Sequence, residues 1–78
     1  MKKVTIYSTP TCHFCHMAKD MFNANGIQFT DKNAAADPVA RKEAIEKSGQ
    51  LGVPVIDIDG EIIVGFNEPK LKKLLGIK

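Results

Sequence analysis

The chain has 78 residues, 44% of them apolar, no Trp, and a formal net charge of +2 from interspersed acidic and basic side chains. Such a length predicts one domain, residues 1–78, close to the size at which a single core becomes marginal. The charge balance favours neither nucleic acid nor an anionic membrane as partner, and no apolar run approaches the roughly 20 residues of a membrane span.

Val4-Thr5-Ile6-Tyr7 is a β-prone run that Ser8-Thr9-Pro10-Thr11 breaks. From Cys12 to about Asn25 the pattern is helical, with Phe14, Ala18, Met21 and Phe22 on one buried stripe and Asn25-Gly26 as its end. Ile27 to Lys32 then reads as a strand carrying Phe29. Asp37-Pro38 marks a helix start, and that helix runs to about Ser48 with Ala40, Ala44 and Ile45 inward and Gly49 as terminator. Val53 to Ile58 and Ile62 to Val64 are apolar runs joined through Asp59-Gly60-Glu61, a strong hairpin signal. Asn67 caps a last helix with Pro69 in its first turn and Leu71, Leu74 and Leu75 inward. Lys70, Lys72 and Lys73 in that helix read as a solvated face whose charge suits the helix dipole.

The order β-α-β-α-β-β-α predicts a right-handed parallel βαβ unit followed by an antiparallel hairpin. The expected fold class is α/β: a four-stranded mixed sheet with three helices covering both faces, which is the thioredoxin-like arrangement at its smallest.

The two cysteines, Cys12 and Cys15, fall at the junction of the first strand and first helix. A thiol at a helix start faces unpaired backbone N–H groups and the positive dipole end, which favours thiolate over thiol. Cys12 is therefore the expected nucleophile and Cys15, one turn on and partly buried, the resolving thiol. Met1-Lys2-Lys3 has no long apolar stretch behind it, so no export signal is read and a cytoplasmic location is expected. In that compartment paired cysteines point to catalysis or metal binding rather than a structural staple. His13 is a candidate for tuning the pair, with a surface histidine as the bland alternative; His16 reads as exposed. Phe14, despite its place in the stripe, reads better as an aromatic lip of a substrate groove.

Cys12-His13-Phe14-Cys15-His16 also matches the C-x-x-C-H haem attachment pattern, but covalent haem requires export. Zinc is a second rival; a closed four-ligand site would need Cys12, Cys15, His13 and His16 together within five residues, against helical geometry. The expectation is no metal and no permanently bound cofactor.

Taken together, Cys12-x-x-Cys15-His16-x-Ala18-Lys19, Gly52-Val53-Pro54 and Val64-Gly65-Phe66-Asn67-Glu68 resemble the active-site, Thr-Val-Pro and Gly-Gly-x-Asp-Asp segments of the glutaredoxins, over essentially the full chain. The resemblance implies glutathione-dependent reduction of protein disulfides and glutathione mixed disulfides by a monomer, with glutathione as cosubstrate. It implies a cis Pro54 whose neighbour Val53 pairs with the glutathione cysteine, a γ-glutamyl end at Asn67 and Glu68, and a groove that also includes Thr11, Phe14 and Gly65.

The departures from the family pattern are specific. His13-Phe14 replaces the common Pro-Tyr, and Thr9 stands where many members carry a lysine for the glutathione glycine carboxylate. Gly52 replaces the loop threonine, Val64 the first glycine, and Asn67 an aspartate. Gly65-Phe66 also resembles redoxins that serve ribonucleotide reductase and draw electrons from thioredoxin reductase. That donor is one alternative; an iron–sulfur cluster held in a dimer through Cys12 and glutathione is another.

Overall fold

Residues 3–49 and 54–77 are described by the computed structural model. Its central strand, β1 (Val4–Ser8), is buried at all five positions. After it come α1 (His13–Ala24), β2 (Thr30–Asn33), α2 (Pro38–Ser48), β3 (Val55–Ile58), β4 (Glu61–Val64) and α3 (Glu68–Leu75), the expected order. The sheet order is β2-β1-β3-β4. β2 runs parallel to β1, and the β1–β3 and β3–β4 pairs are antiparallel.

Period-two alternation on these strands builds two cores. Val4, Ile6, Ile56, Ile58 and Ile63 meet Ala18 and Phe22 of α1 and Leu71 of α3, with Met21, Phe29, Leu74 and Leu75 around them. On the opposite face Tyr7 and Val55 meet Ala40 and Ala44 of α2, with Ile62 beside them. The α2 interface is small in apolar terms and is completed by charge. The Tyr7 hydroxyl donates to Glu43 Oε2 at 3.0 Å, and Lys32 Nζ reaches the same oxygen at 3.1 Å. The Lys32 and Lys47 ammonium groups lie 5.6 and 5.5 Å from the centre of the Tyr7 ring, within cation–π range. Lys47 also pairs with Asp57 Oδ2 of β3 at 2.6 Å.

Local chemistry sets the element ends. Asp37 Oδ1 accepts from the Val39 N–H at 3.0 Å, and Gly49 closes α2 at φ 75°, where an L side chain would be strained. Asp59 and Gly60 both have positive φ, 50° and 93°, the type I′ signature of a tight hairpin. Lys3 and Asp59 clamp that turn: the Lys3 N–H donates to Asp59 Oδ1 at 2.7 Å and the Asp59 N–H to the Lys3 carbonyl at 2.9 Å.

Two expectations are corrected. The second strand begins at Thr30, not Ile27. In the parallel register Thr5 faces Thr30, so residues before Phe29 lie opposite positions ahead of Val4, where β1 has not begun. Ile27 and Phe29 pack on the core without joining the ladder. Phe14 leaves the buried stripe at 57% exposure; Cys15, Ala18 and Phe22 are the buried side chains of α1. The expected start of the third strand at Val53 lies outside the described residues.

Asp57 ties α2 to the hairpin, since its Oδ1 also accepts from the Gly60 N–H at 2.7 Å. Burial pushes its carboxyl up, but the Lys47 and Gly60 donors outweigh that and hold it below the usual carboxylate range. A carboxyl depressed in the folded state stabilises the fold above its unfolded pKa of about 4, and that contribution is lost as pH falls through the folded value. Asp57→Asn is thus expected to lower urea-unfolding stability near neutral pH by about 1–3 kcal/mol. The gap to wild type should close on acidification; a gap independent of pH would overturn this role.

Candidate active site

β1 delivers the chain to one end of the sheet, where β1 and β4 finish in line with the start of β3. Tyr7 faces Val55, and Val55 faces Val64, so Ser8, Pro54 and Gly65 occupy the next row. The Gly65 N–H donates to the Pro54 carbonyl at 2.8 Å across that row. α1 and α3 both start from this end, after Cys12 and Asn67 respectively.

The turn from Ser8 into α1 closes through the Cys12 N–H to the Thr9 carbonyl at 3.2 Å. Cys12 is the N-cap, in extended conformation at φ −85° and ψ 110°, and its Sγ accepts from the Cys15 N–H at 3.2 Å. A sulfur thus occupies the position that Ser, Thr or Asp oxygens usually hold at a helix start. That donor serves the sulfur when it carries negative charge. His16 Nε2 lies 2.9 Å from the Pro10 carbonyl and ties the first turn of the helix back to the loop.

The two thiols differ sharply in setting. Cys12 is half-buried and Cys15 is fully buried, both free. Burial pushes the Cys15 thiol up to about 12, and the neighbouring Cys12 adds to the rise; the Thr9 backbone and the Lys19 charge pull the other way. One sulfur is therefore reachable, and the other is enclosed behind it in a setting that favours the protonated thiol.

Among the other expected site residues, Thr11 and His13 are exposed on the same loop and helix start. His13 meets the Phe14 ring edge-on, 5.9 Å between centroids, so the pair forms an exposed aromatic rim beside Cys12. Pro54 is fully buried at the mouth of β3. Val53 lies outside the described residues. Gly65 is half-buried at φ 82°, which favours glycine. Asn67 Oδ1 caps α3 by accepting from the Lys70 N–H at 3.3 Å, while Glu68 is exposed and paired to Lys72 at 2.9 Å. A groove of about 690 Å³ around Lys3, Ile27, Phe29 and Leu75 includes none of these residues. Among the described residues no group of three His, Cys, Asp or Glu could hold a metal, and no helix is long and apolar enough to cross a membrane.

Residues 4–63 match the glutaredoxin family model. The chain belongs to the glutaredoxin family. It is 49% identical over 72 residues to a glutaredoxin-like 8.6 kDa protein from the rubredoxin operon of Clostridium pasteurianum, covering 92% of this chain and 96% of that one. It is 35% identical over 68 residues to glutaredoxin 3 of Escherichia coli K12, covering 87% and 82% respectively. Among solved structures, a mutant of the thioredoxin-like protein BC3987 superposes with a TM-score of 0.92 at 31% identity, over 100% of both chains. This glutaredoxin is accordingly a thiol-disulfide oxidoreductase on a thioredoxin-like fold.

One part of the setting escaped the sequence reading. Lys19, Asp31 and Ser8 form a connected polar cluster behind the first turn of α1. The only local trace was Lys19 itself, four residues after Cys15 and so one turn along the same helix. The contact of His16 with Pro10 was likewise unforeseen, although His16 is exposed as expected.

The difference between the thiols is measurable. Brief treatment of the reduced protein with iodoacetamide at mildly alkaline pH should alkylate Cys12 alone, with Cys15 modified only after denaturation. Peptide mass mapping reads the outcome, and equal labelling of both cysteines in the folded protein would contradict the burial of Cys15.

Proposed function

We propose that this glutaredoxin reduces protein disulfides and glutathione mixed disulfides with Cys12 as nucleophile, Cys15 as resolving thiol and glutathione as cosubstrate. The observation that carries the reading is the pairing of a reachable Cys12 sulfur at the cap of α1 with a fully buried Cys15 one turn behind it. Cys12 attacks a substrate disulfide, the substrate leaves as a thiol, and Cys12 holds the mixed disulfide. Cys15 then displaces the second sulfur and closes the Cys12–Cys15 bond. Glutathione reopens that bond through a mixed disulfide on Cys12, so no permanent cofactor is needed.

The groove follows from the row at the end of the sheet. Pro54 is read as its wall, Thr11 and the Phe14 rim as its mouth, and Gly65, Asn67 and Glu68 as its far end. At α3 Pro69 has no N–H and Asn67 takes that of Lys70, so the amides of Asn67 and Glu68 are what this helix start offers a carboxylate. The exposed rim of His13 and Phe14 suits a protein substrate that docks over Cys12.

A second reading keeps the dithiol cycle and takes electrons from thioredoxin reductase. It is favoured by Thr9, half-buried beside Cys12 where the family resemblance places a lysine for glutathione. The protein is read as a cytoplasmic monomer under either donor.

A donor assay separates the two. NADPH consumption is followed with glutathione plus glutathione reductase, and separately with thioredoxin reductase, each recycling the oxidised protein. Turnover in the glutathione arm supports the leading reading; turnover with thioredoxin reductase alone replaces it by the second. Cys12→Ser should abolish activity in either arm, whereas Cys15→Ser should keep turnover on a glutathione mixed disulfide and lose reduction of protein disulfides. Full activity of Cys12→Ser would sink the assignment of roles.

A further inference from the structure

A fully buried sulfur that must become a nucleophile presents an electrostatic problem, because burial disfavours its charged form. Cys15 is in this position. One helical turn on, Lys19 keeps its side chain at only 20% exposure instead of extending into solvent. Its Nζ lies 2.9 Å from Asp31 Oδ2 and 3.4 Å from Ser8 Oγ, and the Ser8 hydroxyl donates to Asp31 Oδ1 at 2.7 Å. Helix α1, the end of β1 and β2 thus each contribute one residue to a closed triangle on the helix side that carries Cys15.

We propose that Lys19, fixed by Asp31 and Ser8, is a positioning cation that stabilises the Cys15 sulfur as it becomes the nucleophile of the resolving step. The proposal rests on the reading of Cys15 as the resolving thiol. The ion pair alone would account for an attachment of α1 to the sheet. What points to the sulfur is place: Lys19 follows Cys15 at the i, i+4 spacing on α1, and both side chains are turned away from solvent. The Lys19 charge acts on Cys15 against the effect of burial. Burial pushes the Asp31 carboxyl up, but its bonds from Lys19 and Ser8 outweigh that and hold it below the usual range, so the anchor stays charged. His16 is the other cationic-capable group facing Asp31, and its Nε2 is engaged by the Pro10 carbonyl.

In the step itself the Cys15 S–H proton passes to the departing substrate sulfur. The Cys12–substrate S–S bond breaks, the Cys12–Cys15 S–S bond forms, and the substrate leaves as a thiol with the electron pair. Lys19 neither gains nor loses a proton; it supplies a positive charge beside a sulfur that is transiently anionic.

Stopped-flow reaction of the reduced protein with an aromatic disulfide such as Ellman's reagent resolves the two steps. The first aromatic thiolate is released by attack of Cys12, the second by Cys15. Lys19→Met and Lys19→Gln should slow the second release about tenfold and leave the first nearly unchanged, the size expected from loss of one nearby charge at the effective dielectric of a protein. Lys19→Arg should restore the second release to within about threefold of wild type. In the Cys15→Ser background, Lys19→Met should have no effect on the single remaining release. A second release unchanged in Lys19→Met, or both releases slowed alike in Lys19→Met and Lys19→Gln, would overturn the proposal. If one of these variants fails to fold, the other and Lys19→Arg decide it. A second release that persists in Cys15→Ser alone would instead show that the reading of Cys15 as resolving thiol is wrong.

Discussion

The site depends on the full-length pairing of β1 with both its neighbours. Because β2 and β3 flank the same buried strand, both are aligned to β1, and its end at Ser8 sets a line shared with the end of β2 and the start of β3. The β3–β4 pairing extends that line to Gly65. From it the chain can leave only over the end of the sheet, and there it starts α1 and α3. The cap of α1, Pro54 and the cap of α3 are brought to one end of the sheet by strand register, with no direct contact among them required.

The alternation of β1 explains the division of labour between faces. Val4 and Ile6 build the larger core under α1 and α3, which is the side that carries the cysteines. Tyr7 turns to α2, where small side chains leave room for Lys32, Glu43, Lys47 and Asp57 to organise around its ring. The side that carries the cysteines is held by apolar packing, and the opposite side by oriented charge. Ser8 is the hinge between the two schemes: it ends the strand and begins the polar triangle with Asp31 and Lys19.

What could be read from the sequence was whatever a few consecutive residues decide. Asp37-Pro38, Asn67 and Asp59-Gly60 announce their structures because caps and tight turns are local chemistry, and each forms as read. The cysteine pair was legible for the same reason. Phe14 fits the apolar periodicity of α1 yet stands exposed, which agrees with reading it outside the core; periodicity alone could not separate it from Ala18 and Phe22. Ile27 and Gln28 precede the ladder because no strand lies beside them, a fact set by the start of β1 more than twenty residues earlier. The Lys19–Asp31–Ser8 triangle was invisible because its members come from three elements that only the fold assembles.

The sulfur cap of α1 also makes the redox state of the protein a variable of its folding equilibrium. In the reduced form Cys12 Sγ accepts the Cys15 N–H and satisfies one of the free donors of the helix start. Once that sulfur is shared in a Cys12–Cys15 bond it is a weak acceptor, and the helix start loses most of its cap. A cap is worth roughly 0.5–2 kcal/mol, and for a two-electron couple about 1.4 kcal/mol corresponds to 30 mV. One backbone hydrogen bond is therefore large enough to move the potential of the dithiol by roughly 10–40 mV toward the oxidising side. By the same linkage, the first turn of α1 is held more firmly when the protein carries its electrons than after it has delivered them.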